Sequence, residues 1–158
     1  MNQEQVKDFT RRISQSNRGG LVVVVYDIIF AYLTDAKECH NKGDYEGFRT
    51  ALLQAGRGVE ELTRSLNFQY AVSKNLYALY VYAKESLAKA VIRKSIEDAG
   101  EAEAVLAELY TAFQEAAKQD HSKPLMQNTQ QVYAGFTYGR NHLNETFQEP
   151  DASRGFFA

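Results

Sequence analysis

The sequence predicts an all-α protein: an antiparallel up-down four-helix bundle with a short N-terminal helix and an aromatic C-terminal tail. Three observations lead there. The only prolines are Pro124 and Pro150, so the first 123 residues contain none, and an interior proline would cost a helix about 3 kcal/mol. Apolar residues recur at steps of three and four through five successive segments, the period of one helix face. The breaks between the long segments span about two to six residues, short enough to make neighbouring helices antiparallel.

Taken in order, residues 2–14 read as a short polar helix with Val6, Phe9 and Ile13 on one face. Ser16-Asn17 offers the cap of the next helix, with Gly19-Gly20 behind it. The segment from Leu21 to about Lys42 is the most apolar. Its LVVVVY run alone suits a strand, but Leu21, Val25, Ile28, Tyr32, Ala36 and Cys39 sustain helical spacing over five turns and form the expected core seam. Gly43 fits the C-terminus of this helix, and Asp44 the cap of a third, residues 45–66. The third seam is Phe48, Leu52, Ala55, Val59, Leu62 and Leu66. Gly56 and Gly58 weaken that helix by about 1 kcal/mol each relative to alanine, which points to close approach of a neighbouring backbone. The fourth helix, 68–95, is expected to turn Val72, Leu76, Leu79, Ala83, Leu87 and Ala90 inward. The fifth, 98–118, uses Ala102, Val105, Leu106, Leu109, Phe113 and Ala116, after a break near Asp98 or Gly100.

Residues 1–121 thus make one bundle domain, and residues 122–158 a tail. The tail holds Val132, Tyr133, Phe136, Tyr138, Leu143, Phe147, Phe156 and Phe157, too aromatic for a plain solvated segment. Its residues 129–147 are expected to fold back on the bundle.

Composition excludes several function classes. The 158 residues correspond to a single domain at about 150 residues each. A formal charge of −2 lacks the basic excess of a nucleic-acid binder. The single cysteine, Cys39, excludes an internal disulfide framework. No run reaches the roughly 20 uninterrupted apolar residues of a membrane span, and the polar N-terminus is no secretory signal, so a cytoplasmic location is expected. The three histidines, His40, His121 and His142, form no pair of Glu-x-x-His motifs. Gly56-Arg57-Gly58 lies within a helical seam rather than after a strand, so it is no dinucleotide loop. No catalytic constellation, metal site or cofactor is expected.

The informative excess is apolar surface. On the second helix, Val22, Tyr26, Ile29 and Leu33 form another stripe beside the first, so the apolar arc exceeds half the circumference. Such a helix is either central in the bundle or in contact with something extra. On the fourth, Tyr70, Tyr77, Val81, Ala88 and Ile92 form a stripe roughly opposite the expected core seam. That stripe suits either a groove for an amphipathic partner helix or self-association of a structural bundle through a tyrosine-rich face.

Three stretches carry a family resemblance. Leu21 to Lys37, LVVVVYDIIFAYLTDAK with Tyr26-Asp27 at its centre, resembles the second-helix signature of the flagellin-specific export chaperones, the FliS family. Gly43-Asp44-Tyr45-Glu46 is similar to the family's turn into the third helix. Asn75 to Tyr82, NLYALYVY, is similar to its Asn-Leu-x-x-Leu-Tyr-x-Tyr motif, with Val81 where the family usually has an acid. The resemblance covers about residues 13–117. It implies a non-enzymatic cytoplasmic chaperone that binds the disordered C-terminal region of flagellin, prevents premature polymerisation and delivers it to the flagellar export gate. The chain is then a monomer or weak homodimer. A groove between the second and fourth helices is expected, shaped by Tyr26, Ile29, Leu76 and Tyr80, with Val22 and Leu33 alongside and Asp27 and Asn75 as polar contacts. Tyr70, Tyr77 and Val81 are a second contact face. In the family an N-terminal segment can cover the groove, which makes Phe9 and Ile13 the cover here.

Overall fold

A computed structural model describes residues 1–127. The expected fold-back of residues 129–147 lies outside the described residues. Those residues form five α-helices and no strand: α1 Gln3–Gln15, α2 Arg18–Asn41, α3 Tyr45–Arg64, α4 Val72–Arg93 and α5 Ile96–Gln119. Four helices start on a side-chain cap. Asn2 and Gln5 form a reciprocal capping box, and Asn17, Asp44 and Ser95 accept the N–H of Gly20, Gly47 and Asp98. The turn after α2 depends on Gly43, whose φ of 71° suits glycine.

Packing joins α2 to α3, α3 to α4, α4 to α5 and α5 back to α2, so the four long helices close a ring, with α1 laid against α2. α2 is long and apolar enough to cross a membrane by length and composition. Here it is the central helix, with α1, α3 and α5 packed on it. That answers the excess apolar arc in its sequence.

The core runs through Tyr26, Ile29, Leu33 and Ala36 of α2, Phe48, Leu52, Ala55, Val59 and Leu62 of α3, Tyr80, Ala83, Leu87 and Ala90 of α4, and Ala99, Ala102 and Leu106 of α5. The α3 seam is as its spacing predicts. Two others are rotated. In α2 the innermost residues are Tyr26, Ile29 and Leu33, while Val25, Tyr32 and Cys39 of the expected seam are only partly buried. In α4, Ser73 and Tyr80 are buried where Val72 and Leu79 were expected, and those two are exposed. Ser73 tolerates burial because its hydroxyl donates to the Asn67 carbonyl at 2.6 Å.

Boundaries shift for local reasons. α2 begins at Arg18 because Asn17 is the cap, which takes Gly19 and Gly20 into the first turn. α4 begins at Val72, leaving Phe68 and Tyr70 in the preceding turn. The break before α5 is at Lys94-Ser95, with Lys94 left-handed, and Gly100 lies inside the helix.

Beyond α5 the chain is strapped to the α1–α2 joint. The Asn17 side-chain amide donates to the carbonyls of Asp120 and Ser122 at 3.0 and 3.1 Å, and Gly19 N–H donates to the Asp120 carboxylate at 3.0 Å. Hydrogen bonds from Ser122, with a further one from Gly19, hold that carboxyl below its ordinary range. Leu125 N–H then donates to the Ser16 carbonyl at 3.0 Å.

Candidate functional site

The structure does bring the second and fourth helices together at the residues expected, but inside the bundle. Tyr26 and Tyr80 are 0% and 1% exposed, and their hydroxyls share a hydrogen bond of 2.8 Å across the core. Burial, aided for Tyr26 by its partner's hydroxyl, pushes both phenols above their ordinary range. Ile29 and Leu33 are equally enclosed. α2 and α4 are not neighbours in the ring, so no surface groove runs between them. The correction has a simple cause: an apolar arc wider than half a helix does not say which part faces the core. Val22 and Leu76 are partly buried against that core, and Asn75 is exposed.

Asp27 is engaged by the chain itself. Its carboxylate accepts from Arg12 of α1 and from the Tyr110 hydroxyl of α5. Burial and the hydrogen bond to Asp27 raise the Tyr110 phenol. Tyr26, Phe30, Tyr110 and Phe113 pack their rings around this point at centroid distances of 5.3–6.5 Å. α1 is otherwise lightly held. The Met1 ammonium pairs with Asp35, Ser14 is buried, and Phe9 and Ile13 are only partly covered. The Arg12 guanidinium also lies 5.6 Å from the Phe9 ring centre.

α1 is therefore a clip fastened largely by charge. Arg12→Ala is expected to speed hydrogen exchange of α1 amides about fivefold or more while moving the global melting temperature little. Unchanged α1 exchange would show that apolar contacts alone hold the helix.

The open apolar surface is on the opposite side of the ring. Between α3 and α4 lies a groove of about 290 Å³ with Leu52 and Leu87 at its base. Leu53, Gly56 and Arg57 border it on one side and Lys84, Ala88 and Val91 on the other, with Lys84 reaching Glu60 at 3.7 Å. A Cβ on Gly56 would meet nothing within 4 Å among the described residues. Along α4, Tyr77, Val81, Lys84, Ala88 and Val91 follow steps of four and three, so the tyrosine stripe and the groove share a face. Tyr77, 47% exposed, stacks edge-on with Phe68 at 5.9 Å, and Tyr70, two residues after Phe68, is 65% exposed. Leu53 and Phe68 escape a seam-based reading. The signal for Leu53 was an apolar residue one position off the α3 seam; Phe68 stands in a turn, where periodicity is silent.

A family model described as "Flagellar protein FliS" matches residues 1–120. The chain belongs to the FliS family. The match bears out the resemblance carried by Leu21–Lys37 and Asn75–Tyr82, and it places this FliS protein among flagellar export chaperones. No curated protein in the comparison matches it. In this FliS chain the family-like stretch around Tyr26-Asp27 serves the core and the α1 clip, whereas Tyr77 and Val81 of the later motif lie outside the core.

Proposed function

We propose that this protein is a cytoplasmic export chaperone for flagellin, built as an up-down bundle, that binds the disordered C-terminal segment of its client and delivers it to the export gate. The client is taken to lie along the α3–α4 groove and over the aromatic residues at its end, with Tyr70, Tyr77 and Val81 as anchors. The observation that carries this reading is the exposed Phe68–Tyr77 ring pair at the start of the α4 face that, further along, walls an apolar groove on a bundle of this family. Large aromatic side chains in such a cluster are the residues on which binding energy concentrates. Tyr26, Ile29, Leu33 and Tyr80 belong to the core rather than to the client surface.

Calorimetric titration of the full chain with a C-terminal flagellin peptide from the same organism tests this. One-to-one binding with a negative heat-capacity change is expected, and Tyr77→Ala should weaken it about tenfold or more at unchanged melting temperature. Full affinity in Tyr77→Ala moves the client elsewhere. No binding by the parent chain, together with concentration-dependent sedimentation, brings forward self-association through the tyrosine-rich face.

A further inference from the structure

A second concavity lies on the other edge of the ring, where α1, α2 and α5 meet. This cleft of about 510 Å³ has Val23, Val24 and Ala117 on its walls and Gln15, Gln114 and Arg12 around it, and none of the described residues that line it is acidic. We propose that it is the docking site of the chain's own C-terminal segment, seated through Tyr133 and Phe136.

The route of the chain supports this occupant. Asn17 and Gly19 hold residues 120–122 against the α1–α2 joint, and Leu125 is hydrogen-bonded to Ser16, itself a lining residue of the cleft. The chain therefore leaves its last described residues at the mouth of the cleft. Tyr133 lies eight residues beyond Leu125, a reach of up to roughly 26 Å. Residues 128–139, NTQQVYAGFTYG, carry no charge and three aromatic rings. That chemistry fits walls of valine and alanine beneath amide and cationic groups. Ring faces pack on the apolar side chains or over the cations, and phenol hydroxyls meet the glutamine amides. A tether this short gives an effective concentration in the millimolar range, so weak contacts suffice.

The inference does not depend on the client, and its test contains none. In the methyl-labelled full chain, nuclear Overhauser contacts are expected between the Tyr133 or Phe136 rings and the methyls of Val23, Val24 or Ala117, independent of protein concentration. Tyr133→Ser with Phe136→Ser should shift those methyls and leave Leu52 and Leu87 of the α3–α4 groove unmoved. Both substitutions fall outside residues 1–127, so the helices keep their sequence. Cleft methyls that ignore the substitutions overturn the proposal, as does a response in the α3–α4 groove instead. Contacts that vanish on dilution overturn it in favour of a second copy as the occupant.

Discussion

Tyr26→Ala is expected to lower the stability of the fold by about 3–5 kcal/mol, the range for truncating a large aromatic in a packed core. The side chain is fully buried among rings of α2 and α5 and bonded to Tyr80 of α4. The subtler variants are more informative. Tyr26→Phe and Tyr80→Phe each leave one buried hydroxyl without its partner, at about 1–3 kcal/mol. The double variant removes both hydroxyls and should cost less than the sum of the singles. Urea unfolding of the four proteins closes the cycle; strict additivity would mean that the hydroxyls do not act as a pair. The same pair sets an alkaline limit. Both phenols titrate above their ordinary value of 10.0 when folded, so the unfolded chain releases their protons first. Their contribution is whole below about pH 10 and is lost as pH rises further, at about 1.4 kcal/mol per pH unit for each tyrosine. The double phenylalanine variant should show a correspondingly flatter decline.

Gly56 and Gly58 of α3 are expected to respond with opposite signs. A Cβ on Gly58 would fall 2.4 Å from Ile29 Cγ1, and Ile29 is fully enclosed. Gly58→Ala should therefore cost about 1–3 kcal/mol through overpacking, despite the better helix former. Gly56 stands two positions away, about 200° round the helix, with nothing among the described residues within 4 Å of a Cβ. Gly56→Ala should stabilise by about 0.5–1 kcal/mol. Thermal unfolding of both variants decides the matter, and stabilisation by both would mean that α2 and α3 are not packed this closely. The sequence reading expected a backbone to approach here; what approaches Gly58 is the Ile29 side chain.

How much was legible depended on how polar the far side of each helix is. In α3 the face opposite Phe48, Leu52, Ala55, Val59 and Leu62 carries Arg49, Arg57, Glu60, Glu61 and Arg64, and periodicity alone found the core. In α2 every position from Leu21 to Leu33 except Asp27 is apolar, so the buried face there is chosen by three packing partners, not by pattern. That is why Tyr26, Ile29 and Leu33 read as a contact stripe. In α4 the inner row includes Ser73 and Ser86, and a reading that turns apolar residues inward passes over serines. The Ser86 hydroxyl is buried with no partner among the described residues, a position no propensity argument would choose. Tyr70 and Tyr77 were legible as surplus because the buried α4 row, Ser73, Tyr80, Ala83, Ser86, Leu87 and Ala90, includes neither.

The strap from Asn17 to Asp120 and Ser122 has a kinetic meaning. Three edges of the ring join helices adjacent in sequence and can form as local hairpins. The α2–α5 edge joins residues 66 positions apart at Lys37–Glu103, 83 at Asp27–Tyr110 and 101 at Gly19–Asp120, so it closes a much longer loop and bears the larger entropic penalty. It therefore assembles after the hairpins, from partners already held near one another. Until then the apolar wall of α2 that belongs to α5 stays wet. The hydrogen bonds at Asn17 and Gly19 form with that last event, so they act mainly on how slowly the finished ring reopens rather than on how fast it is built.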